Sequence, residues 1–170
     1  MPGFHVNDLK SNTGAFARAY LFNVYFEGAP VEINGGENQV AYLVRSTSLP
    51  ESTIDPIEVP WQGQTYKIGS THTFSEWECT FHTDRGANIR KQMLNWMHKI
   101  HDPSDNTQGN PEDYFAKVKL ELLDTSSEPV MTYTLHQAWP STVAAIDLAH
   151  DSKDVAQFSV TFNYNWHTTE

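Results

Sequence analysis

The sequence predicts a mainly β fold, a β-sandwich or open barrel of two antiparallel sheets with one α-helix packed on a sheet or at its edge. Three observations carry this. Several segments alternate apolar and polar residues with a period of two, most clearly residues 155–166, VAQFSVTFNYNW. Nine prolines and nine glycines in 170 residues suit a turn-rich β protein better than a helical bundle. Only one segment, near residues 85–101, repeats its apolar residues at helical spacing. About eight strands and one helix result, with no internal repeat and no domain boundary, so residues 1–170 form a single domain.

The elements follow in order. Residues 1–19 are mixed, with an early proline and glycine, and read as a flexible N-terminal arm. Residues 20–27 (YLFNVYFE) form a first strand, apolar on both faces. Residues 28–39 are a turn region with Gly35–Gly36 as a hairpin turn, and residues 40–46 (VAYLVRS) a second strand. Residues 47–63 contain Pro50, Pro56 and Pro60, so they are predicted as an extended proline-rich loop or an edge hairpin, not a central strand. Yet this segment carries Ile54, Ile57, Val59 and Trp61, which seek cover and suggest docking on another surface. Residues 64–68 return as a strand.

Residues 74–83 alternate again. Trp77, Cys79 and Phe81 share one face; Glu76, Glu78, Thr80 and His82 share the other. Thr83 or Asp84 caps the helix predicted over 85–101, whose core face is Ile89, Met93, Trp96, Met97 and Ile100, and Asp102-Pro103 stops it. A polar loop leads to a strand at 116–124, with Val118, Leu120 and Leu122 inward. Strands at 130–139 and 142–150 follow. The last strand, 155–166, puts Ala156, Phe158, Val160, Phe162, Tyr164 and Trp166 on its buried side. At about 3.3 Å per residue it would be about 40 Å long. Its other face holds Gln157, Ser159, Thr161 and Asn163 without a charge. An exposed strand usually carries charge there to prevent edge pairing, so this one is expected to be paired throughout, within its own sheet or with another subunit.

Charge and motifs narrow the function. A net charge of −10 disfavours surfaces that bind phosphate or anionic membranes. Cys79 is the only cysteine, so no internal disulfide forms and no oxidising compartment is implied. With no basic leader and no apolar run of about 18 residues, the chain reads as soluble and unsecreted. His98 and His101 share a side of the helix but lack further ligands for zinc. Asp102, Ser104 and Asn106 place oxygens at positions one, three and five of a twelve-residue calcium loop, yet Thr107 stands where glycine is required and Asp113 where glutamate is, so the segment reads as a solvated acidic loop. Glu76 and Glu78 point the same way but read as a solvated acidic face before an acid/base pair. There is no G-x-S-x-G elbow, phosphate loop or dinucleotide fingerprint. No cofactor, no metal and no enzymatic activity are expected.

Taken together, FARAYLF near the start, STSLPESTIDPIEVPWQGQTYKIGSTHTFSEWECTFHTD, the helix RKQMLNWMHKI, LHQAWPSTVAAIDLAHDS and the closing QFSVTFNYNW resemble the tail tube proteins of contractile-tailed (myovirus-type) bacteriophages. The resemblance runs from about Phe16 to Trp166 and rests on the order of segments; the 28–39 insertion is longer than the family carries. It implies hexameric rings, a continuous β-barrel around a channel, and rings stacked into a tube inside a sheath. The implied partners are other copies of the chain, the sheath, baseplate and tail terminator proteins, and DNA that passes without specific binding; no membrane is involved. The implied place is the virion tail, assembled in the host cytoplasm. Leu49, Ile54, Ile57, Val59 and Trp61 become candidate contacts with neighbouring subunits. Glu76, Glu78, Gln157, Ser159, Thr161 and Asn163 become candidate channel-facing or subunit-facing residues. Tubes of type VI secretion and other contractile injection systems share the architecture, as does a baseplate or terminator ring. The contrasting reading is a ligand-binding or hydrolytic β-sandwich with Glu76, Glu78 and His82 at its site.

Overall fold

A computed structural model describes residues 16–30, 42–151 and 153–170. The expectations for residues 1–15, for Gly35–Gly36 and for Val40–Ala41 of the second strand lie outside the described residues; Tyr42 and Leu43 are helical, so the strand expected at 40–46 begins only at Val44. The strands are β1 (Phe22–Glu27), β2 (Val44–Thr47), β3 (Ser52–Trp61), β4 (Gln64–Phe74), β5 (Trp77–His82), β6 (His101–Asp102), β7 (Thr107–Gln108), β8 (Ala116–Leu123), β9 (Pro129–Val143), β10 (Gln157–Asn163) and β11 (Trp166–Thr169). Two helices lie wholly among the described residues, α1 (Asn88–Ile100), between β5 and β6, and the single turn α2 (Pro111–Tyr114), which opens on a proline.

Two antiparallel sheets share one strand. The first runs β1-β8-β9-β11 and the second β9-β10-β5-β2. Their inner faces meet in a single aromatic core. Phe26 of β1 lies 5.4 Å from Phe162 of β10 and 6.3 Å from Phe81 of β5, ring centre to ring centre. The predicted alternation of β5 holds: Trp77, Cys79 and Phe81 are buried, while Glu78 is exposed. Helix α1 covers the core with Ile89, Met93 and Trp96, and Trp96 reaches to 6.0 Å from Phe162. Burying side chains of this size contributes roughly 1.5–3 kcal/mol each.

The helix starts later than its sequence suggests. Ala87, at φ 51, holds the N-cap position. Asp84 remains useful from outside the helix: its carboxylate accepts from Asn88 Nδ2 at 2.9 Å and from the Ile89 amide at 3.5 Å. A carboxylate there complements the positive end of the helix dipole.

Strand β9 passes from one sheet to the other through β-bulges. His136 and Gln137 together oppose Lys117, between the pairs Ala116–Ala138 and Val118–Leu135, and Gln137 takes the left-handed φ of 56. A second extra residue, Ser141, lies beside Pro140, whose missing amide is harmless at a bulge; Ser141 Oγ donates to Thr161 O at 3.1 Å. Strand β9 therefore continues to Val143, and residues 144–149 are not the strand expected at 142–150. Arg90 of α1 ties down this exit by donating to Ala144 O at 2.6 Å.

The expected 155–166 strand bends around the same corner and divides. β10 ends at Asn163, and β11 resumes at Trp166 in the first sheet. Asn165 N donates to His136 O at 3.1 Å, and Asn165 Nδ2 donates to Gln137 Oε1. Phe158, Val160, Phe162 and Tyr164 are buried as predicted, but the bend changes the phase. Trp166 consequently lies outside the core, stacked on His136 at 5.1 Å.

Candidate functional site

Two surfaces outside the core carry the sequence-predicted residues. The first is the β3–β4 hairpin, closed by Gln62 (φ 44) and Gly63 (φ 81), a two-residue turn with both residues in the left-handed region. Its root is fixed to the sandwich. Trp77 Nε1 donates to Ser48 O at 2.8 Å, Tyr164 OH donates to Glu51 O at 3.4 Å, and Phe74 packs 5.1 Å from His167. Beyond the root every residue from 52 to 73 is exposed.

The register sorts the hairpin into two faces. Ile57 opposes Ile68, Val59 opposes Tyr66, and Trp61 opposes Gln64. Ile57, Val59, Trp61, Tyr66 and Ile68 thus form one apolar face, each 41–71% exposed. The opposite face holds the Glu58–Lys67 ion pair at 2.8 Å. Ile54 belongs to this second face, because β3 keeps its alternation; the extra residue here is on β4, where Ser70 and Thr71 oppose Asp55. Leu49 is exposed in the link before β3. Four of the five candidate contact residues are therefore brought to one hairpin, three of them on one side, and Leu49 lies in the link that leads into it. Tyr66 and Ile68 were not among the expected contacts. Their signal was the alternation in 64–68, which becomes informative only once it is mirrored across the turn.

The second surface is the outer face of the second sheet. Glu78 opposes Thr161, Thr80 opposes Ser159, and His82 opposes Gln157. Thr142 flanks Thr161 from β9, and Ser46 flanks Thr80 from β2. Thr80 Oγ1 and Ser159 Oγ share a hydrogen bond at 3.3 Å, and Arg45 donates to Gln157 Oε1. Asn163 opposes Trp139, and Glu76 lies in the link just before β5. The face is thus rich in hydroxyls and amides. Thr142, Ser46 and Arg45 were missed because only strand pairing, not local sequence, places them there.

The outer face of the first sheet differs. Lys117 and Lys119 of β8 stand opposite Glu27 and Tyr25 of β1, and Lys119 pairs with Glu27 at 2.5 Å. Burial, helped by Glu121, raises the Tyr25 phenol. Burial lowers the His136 imidazole, with nearby Lys117 acting in the same direction.

Chemistry is sparse elsewhere. The Cys79 thiol is pushed up strongly by burial and by the charge of Glu78, which leaves it protonated and unreactive. Asp102 spends its carboxylate on its own loop, accepting from Ser104 Oγ at 2.6 Å and Ser104 N at 2.9 Å, which holds it below the usual range. Among the described residues no three His, Cys, Asp or Glu side chains are placed to hold a metal ion.

The family model described as phage tail tube protein matches residues 15–170. This chain belongs to the phage tail tube protein family. A tail tube protein of Serratia phage KSP90 is 29% identical over 127 residues, covering 74% of this chain and 72% of the relative. Among solved structures, a chain of the cryo-EM structure of the anti-feeding prophage baseplate superposes with a TM-score of 0.71 at 17% identity, over 93% of this tail tube protein and 97% of that chain. A chain of the sheath-tube complex of an extracellular contractile injection system gives 0.70 at 15% identity, over 95% and 96%. The fold is shared with both, and the protein is a structural subunit of a tail tube.

Proposed function

We propose that this chain is the repeating subunit of a contractile tail tube, in which six copies close a ring and rings stack into a hollow conduit for DNA. The observation that carries the reading is the β3–β4 hairpin. Its apolar face is fully formed and wholly exposed, which in a stable subunit calls for cover by a neighbour. Leu49, Ile54, Ile57, Val59 and Trp61 meet neighbouring subunits within or between rings.

The hydroxyl-rich face of β5 and β10 is the channel wall. Gln157, Ser159, Thr161 and Asn163 offer uncharged hydrogen-bonding groups, Arg45 at the edge of the face donates to Gln157, and Glu76 and Glu78 repel phosphate. With a net charge of −10 this gives passage without binding, the reverse of counterion-release affinity. The partners are further copies of the chain, the sheath, the baseplate and the terminator, and the protein resides in the virion tail after assembly in the host cytoplasm.

The test is negative-stain electron microscopy of the purified chain, seeded where necessary by baseplates. Hollow tubes are expected. The pair Ile57→Asp with Trp61→Ala should leave a folded subunit that forms none, and intact tubes from that variant would remove the hairpin from the interface. A baseplate or terminator ring would appear instead as single rings that do not lengthen.

A further inference from the structure

The two edges of the β3–β4 hairpin are chemically unequal. Trp61 and Gln64 flank a two-residue turn and so form a hydrogen-bonded pair. Alternation along the antiparallel ladder then makes Val59–Tyr66 and Ile57–Ile68 hydrogen-bonded pairs. Pro60–Thr65, Glu58–Lys67 and Pro56–Gly69 are the non-hydrogen-bonded pairs between them. At these positions the backbone groups point away from the partner strand. Pro56 and Pro60 therefore take nothing from the hairpin's own ladder. They delete two donors from the outer edge of β3, leaving Glu58 alone between them. The outer edge of β4 keeps its donors at Thr65, Lys67 and Gly69, and all of these residues are exposed.

Proline on an edge strand is a known means of refusing a further strand. Here it is applied to β3 only. Lysine discourages edge pairing too, but the Lys67 charge is engaged by Glu58 at 2.8 Å on one face of the hairpin. We propose that the outer edge of β4 is an interaction surface that pairs with an edge strand of a second copy of this chain, while the edge of β3 stays closed. The occupant is a second copy because the edge is continuous with the apolar face that the tube reading assigns to neighbouring subunits: Tyr66 and Ile68 belong to both. A strand seated on β4 widens that face sideways, so backbone pairing and apolar burial are satisfied in one contact. Free edges to supply the strand exist in the same chain, since β1 pairs only with β8 and β2 only with β5 among the described residues. A hairpin that accepts a strand on one side only makes a heterologous contact with a fixed direction, as a polymer of stacked rings requires.

This rests on the tube reading, and a matched pair of variants separates the two. Lys67→Pro and Glu58→Pro each break the same ion pair, and neither removes a bond of the hairpin ladder. Lys67→Pro deletes an outward donor from β4; Glu58→Pro deletes one from β3. Assembly is read by sedimentation and electron microscopy, with monomer folding followed by circular dichroism. Lys67→Pro should raise the concentration needed for tubes about tenfold, equivalent to ~1.4 kcal/mol per contact. Glu58→Pro should shift it by no more than about twofold, the scale of an exposed ion pair. Equal effects of the two substitutions overturn the proposal unless both variants fail to fold. In that event hydrogen exchange on tubes of the unsubstituted chain decides. Slow amides at Thr65, Lys67 and Gly69 sustain it, and amides as fast as in the monomer overturn it. Failure of the unsubstituted chain to form rings or tubes counts against the tube reading instead.

Discussion

The β5–β10 pair and the β3–β4 pair are both antiparallel ladders with one apolar and one polar face. In β5–β10 the apolar face, Trp77, Cys79 and Phe81 with Phe158, Val160 and Phe162, is buried inside the chain. In β3–β4 the equivalent face, Ile57, Val59 and Trp61 with Tyr66 and Ile68, is exposed. Alternation thus tells which side of a strand seeks cover. It does not tell whether that cover comes from the same chain or from another.

The sharpest way to separate the pairs is to truncate one aromatic in each. Phe162→Ala removes a ring that touches Phe26, Trp77 and Trp96, and should lower monomer stability by about 3–5 kcal/mol in chemical denaturation. Trp61→Ala should change the same measurement by less than about 0.5 kcal/mol. A comparable loss from both would mean that the hairpin face is covered within the monomer.

A smaller effect tests the hairpin's local stability. Gly63→Val forces a side chain into φ 81, although a Cβ there meets nothing within 4 Å. The cost, about 1–2 kcal/mol, is conformational. It should appear as faster amide exchange across β3 and β4, with the global melting transition unmoved.

Acid should act on the root that joins the two regions. Burial lowers the His167 imidazole, and the neighbouring His72 adds to it; Tyr133 and Tyr164 are the other titratable rings packed on it. The folded state therefore holds fewer protons than the unfolded chain. Stability is full above the ordinary histidine value near 6.5 and declines as pH falls below it. The decline should be seen in pH-dependent melting and be reduced in His167→Phe, which keeps the ring contacts. An unchanged slope in that variant would assign the acid sensitivity elsewhere. Least visible in the monomer is Thr161→Lys, on the outer face of β10. Its melting should match the unsubstituted protein within about 0.5 kcal/mol, while tube assembly or DNA passage is disturbed. Normal tubes and normal ejection would make that face an ordinary surface.

Local patterns were read well where one chain segment decides the outcome. The helix face of Ile89, Met93 and Trp96 and the buried side of β5 are examples, because periodicity alone specifies them. The last strand was legible only as far as Tyr164. Its alternation continues through Trp166, but the bend is dictated by Gln137 in a different strand. The strand expected at 142–150 failed for a related reason: β9 absorbs Pro140 at a bulge and uses up Thr142 and Val143 itself. At the candidate site the residue types were recognisable, but the side on which Ile54 lies depends on a bulge in β4, and Thr142 joins the polar face only through pairing.

The shared strand β9 has a mechanical consequence. Because it is hydrogen-bonded into both sheets, neither sheet can be pulled apart without loosening the other. Under load each subunit should behave as a single brittle unit that yields in one step, whereas joints of the proposed kind, made of side-chain faces and strand edges, should give way first. A filament of such units would break cleanly into whole subunits and smaller stacks, and its breaking strength would report on its seams.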